Sequence, residues 1–457
     1  MQKILLTLLS SLLLFGILPG CHRTNLSASG ANPYSTDSGA IDVMTSLYAQ
    51  MAQAGINANL SVLAGLSADE LAFYPTGGTA QFTAYYQNNL GATTAGFEFW
   101  EIFYHYVNIA DSVIVGAGNS TTLSTTVKTQ LVGQAYFIRA LSYFYLVNLY
   151  GDCPLVLTTN SNATRDLSRS PAAQVWQQII ADADSAAAAL PLSLSSETPT
   201  HWAAMALLSR VYLYTEDYPD ALNTSNQIIN SGSFSLVADL DSCFLVKSTE
   251  AIWQLPPPNV YPYISATEAI NFIPPDANTV TPDNVDITPS LLQAFEPNDL
   301  RRVHWIDSIS MGSNLYYFPY KYKIPVGVAG SPTPEAETIF RLSEQYLIRA
   351  EAEAQLDQLS AATNDINIIR TRAGLPNLSN VLPQQSVLNA IAHERQVELF
   401  TEWGQRWLDL KRTGTINAMM PSVAFDKGAT WNPNWVLWPL PATSLTADAS
   451  LVQNLGY

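Results

Sequence analysis

The stretch from Gln134 to Tyr150 constrains the fold more than any other part of this chain. Read at 3.6 residues per turn it is apolar nearly all round, and a helix without a polar face must be enclosed on most sides. Its densest part, Ala135 to Tyr150, is interrupted by Arg139 and falls short of the roughly twenty apolar residues that a membrane span needs. Other protein elements therefore have to enclose it. Gly151-Asp152 stops the helix, and Pro154 prevents it from resuming.

The rest of the chain supplies helices in pairs. Trp202 to Tyr214 is an apolar helix, and Asp217-Tyr218-Pro219 makes a turn, with Pro219 suited to a first helical position. Ala221, Leu222, Ser225, Ile228 and Ile229 then recur at helical spacing until Gly232. Phe340 to Asp357 followed by Ser360 to Arg372 repeats the design, with Arg370 and Arg372 in the last turn and Gly374 and Pro376 as stop signals. Further helices are predicted over Ser386 to Leu399 and Arg406 to Lys411. Paired helices with short turns and alanines at the contacts have the character of tetratricopeptide-like units. Here they are irregular and widely spaced. The predicted fold is therefore mostly α: a scaffold of tetratricopeptide-like helical hairpins carrying long, loop-rich insertions. The main insertion, 255–337, is loaded with Pro, Asn and Tyr and is expected to hold short strands and turns against the helical body. Ala64 to Gly96 is similar on a smaller scale.

Lys3 followed by the apolar run Ile4 to Leu18 reads as a secretory signal. It ends in Leu18-Pro19-Gly20-Cys21, small residues before a cysteine, as cleavage by a bacterial lipoprotein peptidase requires. The expectation is a signal peptide over 1–20 and acylation of Cys21 by palmitate-type chains; an ordinary signal peptide with an incidental cysteine is the alternative. One chain anchors weakly, so durable attachment needs several. Residues 21–40, rich in Ser, Ala, Gly and Asn, are expected to form a flexible tether. Cys153 and Cys243 are expected to be buried free thiols, with a disulfide between them as the alternative.

A net charge of −17 excludes nucleic acid as a partner, since phosphate binding needs a basic face. Only 13% of residues are charged and 11% are aromatic, a balance suited to neutral, polar ligands. Catalytic signatures are missing from the sequence: no zincin motif, phosphate loop, nucleophile elbow or EF-hand. The five histidines, at 22, 105, 201, 304 and 393, lack ligand spacing, so neither a metal nor a cofactor is expected. Glu394, Glu398 and Glu402 stack four apart and repel unless offset. They form either a cation site, a glycosidase-like acid/base pair, or a structural network with Arg395, Arg406, Lys411 and Arg412. The structural network is the favoured reading.

Several stretches resemble the SusD/RagB family of outer-membrane nutrient-binding lipoproteins of the Bacteroidetes. Ala135 to Ala140 continuing to Tyr150-Gly151-Asp152-Cys153-Pro154 is similar to the family's first block. Phe99-Trp100 to Asn108 and Ala203 to Tyr214 resemble two of its helices. Arg341 to Leu375, Glu394 to Gly414 and Leu437 to Tyr457 follow in the family's order. Cys153 stands where the family has an aliphatic residue, and Leu455 where it has Pro. Behind Cys21 the acidic residues of many surface-exported relatives are absent.

The resemblance implies a SusD-like α-α superhelix, with a helical region over 41–240 and a second region over 241–457. It also implies a non-catalytic protein held by lipid at the outer membrane, and at the cell surface. As partner it implies a SusC-like TonB-dependent transporter, which receives an oligosaccharide or a peptide from the chain. A glycosidase and a structural helical-repeat adaptor are the other classes. Sugar rings offer C–H faces to aromatic rings and hydroxyls to amides and carboxylates. The expected ligand contacts are therefore Asp69, Tyr74, Tyr85 and Tyr86 in the first insertion, and Tyr261, Tyr263, Trp305 and Tyr316 in the second.

Overall fold

The computed structural model describes residues 32–53, 56–93, 99–194, 197–255, 257, 266–277, 280–281, 284–326 and 334–457. The signal segment and Cys21 lie outside the described residues. Asn32 accepts the Tyr34 amide at 3.0 Å and caps a 3-10 turn at Pro33–Ser35. Tyr34 is buried, its hydroxyl 3.0 Å from Ser112 Oγ, and α1 (Asp37–Gln53) follows directly. The tether expected over 21–40 therefore cannot extend past residue 32. The Tyr34 ring lies so close to Gly116 that a Cβ there would collide with it, and this burial overrides the loop-like composition around Tyr34.

After α2 (Ile56–Ser67), β1 (Leu71–Phe73) and α3 (Ala80–Tyr86) come the two longest helices, α4 (Phe99–Asn119) and α5 (Thr125–Tyr150). The enclosed helix begins at Thr125 rather than Gln134, because Ser124 caps it by accepting the Val127 amide. Every residue from Phe137 to Tyr150 is buried, and the helix ends at Gly151 with φ of +74°, as glycine permits. Arg139 is paired within this apolar surround: Nη1 reaches Asp111 on α4 at 2.6 Å, and Nε reaches Asp182 at 2.7 Å. Asp182 lies on α7 (Ala172–Ala189), an alanine-rich helix that the sequence reading did not identify, beyond the single turn α6 (Ser161–Thr164). One guanidinium thus ties three helices.

The first predicted hairpin is α8 (His201–Tyr214) and α9 (Tyr218–Asn230), with Asp217 capping α9 and Pro219 in its first turn. β2 (Ala251–Leu255) leads to the expected insertion. Its described part contains α10 (Thr267–Phe272), β3 (Val285–Ile287), α11 (Pro289–Ala294) and α12 (Leu300–His304), then a hairpin of β4 (Ile306–Met311) and β5 (Asn314–Pro319). The three short helices were not anticipated; Thr288 and Asp299 start two of them as side-chain caps. β3 pairs antiparallel with β1, placing Leu71 opposite Ile287, Ala72 opposite Asp286 and Phe73 opposite Val285. The two loop-rich stretches, separate in the sequence, meet as one sheet.

β6 (Glu337–Arg341) pairs with β2 and runs straight into α13 (Leu342–Gln355). Phe340 and Arg341 belong to this strand and not to the helix, with Phe340 opposite Trp253. α14 (Leu359–Arg372) completes the second hairpin, and α15 (Gln384–Glu398), α16 (Gln405–Arg412), α17 (Ile416–Asp426) and α18 (Ala442–Ala447) follow. α13 packs on α9, so the two hairpins stack. The result is a mostly helical body with short two-stranded sheets along it. Cys153 and Cys243 are buried free thiols.

Candidate functional site

The carboxylate stripe is an interior feature. Glu394 and Glu398 are fully buried, and Glu402 lies beyond the end of α15 in a turn where Thr401, Trp403 and Gly404 have positive φ. Arg301 Nη1 contacts Glu394 at 2.9 Å and Glu398 at 3.1 Å. Arg370 takes the other Glu394 oxygen at 2.7 Å, Arg341 bridges Glu250, Glu398 and Glu402, and Arg372 joins Glu250 to Glu398. Burial alone would push the Glu398 carboxyl up, but Arg372, Arg341 and Arg301 overturn this and hold it well below the usual range. The network is structural, as favoured, yet its cations come from α12, β6, α14 and Lys321 just beyond β5, which pairs with Glu402. Arg395 and Arg412 instead hold Asp409, Arg406 holds Asp69, and Lys411 reaches the Asn148 carbonyl. Enclosed and saturated with guanidiniums, Glu394 and Glu398 are unavailable for acid/base work on a glycan. Among the described residues, Glu296, His393 and Glu394 come together with metal-ligand spacing. Both carboxylates already bind Arg370, and His393 Nε2 lies 2.7 Å from the Ala294 carbonyl.

Three expected ligand contacts belong to the same interior. Trp305 is wholly buried, donates Nε1 to the Leu240 carbonyl at 3.0 Å, and has the Lys321 ammonium 4.8 Å from its ring. Asp69 is 4% exposed and accepts a bidentate pair from Arg406, at 2.8 and 2.9 Å. Tyr85 faces the core, its ring edge-on to Trp438 at 5.0 Å. These three assignments are corrected: each side chain is enclosed by elements remote in sequence and offers a ligand no surface. Tyr261 and Tyr263 lie outside the described residues.

Of the remaining three, Tyr74 and Tyr316 meet beside the β1–β3 sheet, and Tyr86 lies against Phe73 of the same sheet. Period-2 alternation puts Ala72, Tyr74 and Asp286 on one face of that sheet, and the β4–β5 hairpin packs beside β3. Tyr316 packs against Tyr74 with ring centroids 5.5 Å apart and the planes tilted by 53°, and the Asn314 amide lies 3.5 Å from the Tyr316 hydroxyl. Tyr86, next to Tyr85 on α3 but turned the other way, packs on Phe73 at 5.0 Å. Tyr316 and Tyr86 are half-buried, so part of each ring meets solvent.

Polar groups in this cluster are unmatched. One Asp286 oxygen and the Tyr74 hydroxyl are buried without a hydrogen-bond partner. Burial pushes the Asp286 carboxyl up to about 7, and burial with the nearby Asp286 charge raises the Tyr74 and Tyr86 phenols. Asp286 was missed by sequence reasoning. Its only signal there is the alternation Val285-Asp286-Ile287, too short to separate from loop.

Two family models match the chain: the SusD family over 304–457, and a family described as starch-binding, associating with the outer membrane, over 40–213. This chain belongs to the SusD/RagB family. SusD-like protein P2 of Formosa agariphila is 28% identical, over 78% of this chain and 79% of that one. The SusD-like fold is also that of a SusD superfamily protein from Parabacteroides distasonis, with TM-score 0.79, 20% identity, and coverage of 92% and 99%. Surface glycan-binding protein A from Bacteroides fluxus matches with TM-score 0.75, 22% identity, and coverage of 92% and 99%. The enclosed α5 falls within the 40–213 match, and Glu394, Glu398, Arg341, Arg370 and Arg372 of the Arg–Glu network fall within the 304–457 match, with Arg301 and Glu250 outside both.

Proposed function

We propose that this chain is an outer-membrane lipoprotein that captures an oligosaccharide and passes it to a SusC-like TonB-dependent transporter, without catalysing a reaction. The observation that supports capture most directly is the group of half-exposed rings Tyr86 and Tyr316 beside hydrogen-bonding atoms that the chain leaves unpaired. Rings take the C–H faces of a sugar, and unpaired oxygens take its hydroxyls. Family membership supports the partnership with a transporter, and Cys21 is the proposed anchor. On this reading Tyr261 and Tyr263 also meet the ligand.

Calorimetry of the full chain in detergent against neutral oligosaccharides and short peptides tests the proposal. Tyr316→Ala or Tyr86→Ala should weaken oligosaccharide binding about 10-fold, the loss of one ring contact of roughly 1–1.5 kcal/mol. Unchanged affinity in both variants, or binding of peptides alone, would refute it. Co-purification with a TonB-dependent transporter from native membranes tests delivery.

A further inference from the structure

We propose that this aromatic surface selects sugars free of acidic groups, and that Asp286 enforces the choice. The inference rests on the glycan-binding reading and specifies what class of glycan the site accepts.

Asp286 is the middle residue of β3, and it shares a sheet face with Tyr74 beside the hairpin that carries Tyr316. One of its oxygens has no partner, and neither has the hydroxyl of Tyr74, a residue only 1% exposed. Buried polar atoms normally find partners within the protein, so two left over beneath the Tyr316 ring mark a place where the chain's own bonding is incomplete, and Asp286, only partly buried, is the one of the two that can meet a ligand. A carboxylate accepts only, whereas a phenol both donates and accepts. The Asp286 carboxylate suits the hydroxyls of a neutral sugar or the ammonium of an amino sugar. A uronic acid or a sulfate would instead set a second negative charge beside the first.

Among the described residues, no cation on this face offsets such a meeting. Lys427 lies 4.9 Å from the Tyr86 ring centre, but its ammonium is spent on the carbonyls of Leu66, Ser67 and Ala68. Arg302 covers the Tyr317 ring at 4.6 Å, and alternation along β5 turns Tyr317 to the side opposite Tyr316. Asp426 adds a further negative charge near Tyr86. The net charge of −17 opposes the approach of anions from a distance.

The test compares neutral hexasaccharides of glucan, mannan and xylan with hexauronides, on the full chain, by calorimetry. It is run at about pH 8, where a carboxyl of pKa about 7 is charged. The best neutral hexasaccharide should bind at least about 10-fold more tightly than any hexauronide. Asp286→Asn, which removes a buried charge and so keeps the fold, should close that gap to within about 3-fold by strengthening hexauronide binding. Hexauronides that bind unmodified protein as tightly as neutral sugars overturn the inference, as does a gap unchanged in Asp286→Asn; glycan capture survives either result. Failure of every glycan to bind overturns the glycan-binding reading and this inference with it.

Discussion

Glu398 shows how far a side chain's role departs from its bare chemistry. Enclosed in an apolar interior a carboxylate should be neutral, yet three guanidiniums keep it charged. Glu398→Gln would leave Arg341 and Arg372 short of an anion that no solvent replaces. Removing one partner of a buried pair costs about 3–5 kcal/mol, and the urea midpoint should fall accordingly with the slope unchanged. At this scale the sequence was legible in part. The spacing of Glu394, Glu398 and Glu402 marked a charge stack that needed cations, but the cations come from Arg301, Lys321, Arg341, Arg370 and Arg372, whose approach depends on the completed fold. Trp305 misled for the same reason: a tryptophan in a Pro-rich stretch reads as an exposed ring, and nothing local reveals the Leu240 carbonyl that receives its N–H. Asp286 was invisible because what singles it out is a missing partner.

Among elements, the long helices were legible and the short strands were not. α8–α9 and α13–α14 announce themselves through apolar spacing, turn residues and stop signals that act within a few residues. β1 and β3 have three residues each, too few for alternation to register, and they exist only through each other. The opening turn at Pro33–Ser35 was hidden in the same way, since a Ser- and Gly-rich composition conceals the burial of Tyr34 against α4. That contact makes a prediction for the element as a whole. Gly116→Ala would drive a methyl into the Tyr34 ring, and overpacking of this kind costs about 1–3 kcal/mol. Amide exchange should quicken across the turn and α1 while α8–α9 is unaffected; uniform quickening throughout the chain would refute the local reading.

Across the whole molecule, paired charges inside the helical body govern the response to acid. Burial would raise the Asp409 carboxyl, but Arg395 and Arg412 bring it down to about 2, from an ordinary value near 3.8. A group depressed on folding stabilises fully above its unfolded pKa and loses that contribution as pH falls through its folded value. Asp409 alone therefore supports the fold by roughly 2 kcal/mol at neutral pH, lost between about pH 4 and pH 2. Glu398 titrates in the same sense. Helical circular dichroism should hold down to about pH 4 and collapse cooperatively below it; a transition centred near neutrality would contradict this. The sheet joining residues 71–73 to 285–287 has another kind of consequence, for anyone who wants to re-engineer what the protein captures. A graft that moved only one of those segments into a homologous scaffold would deliver a strand with its edge bare and an aspartate without its neighbouring phenol. Ligand preference should transfer in chimaeras only when both segments travel as a pair.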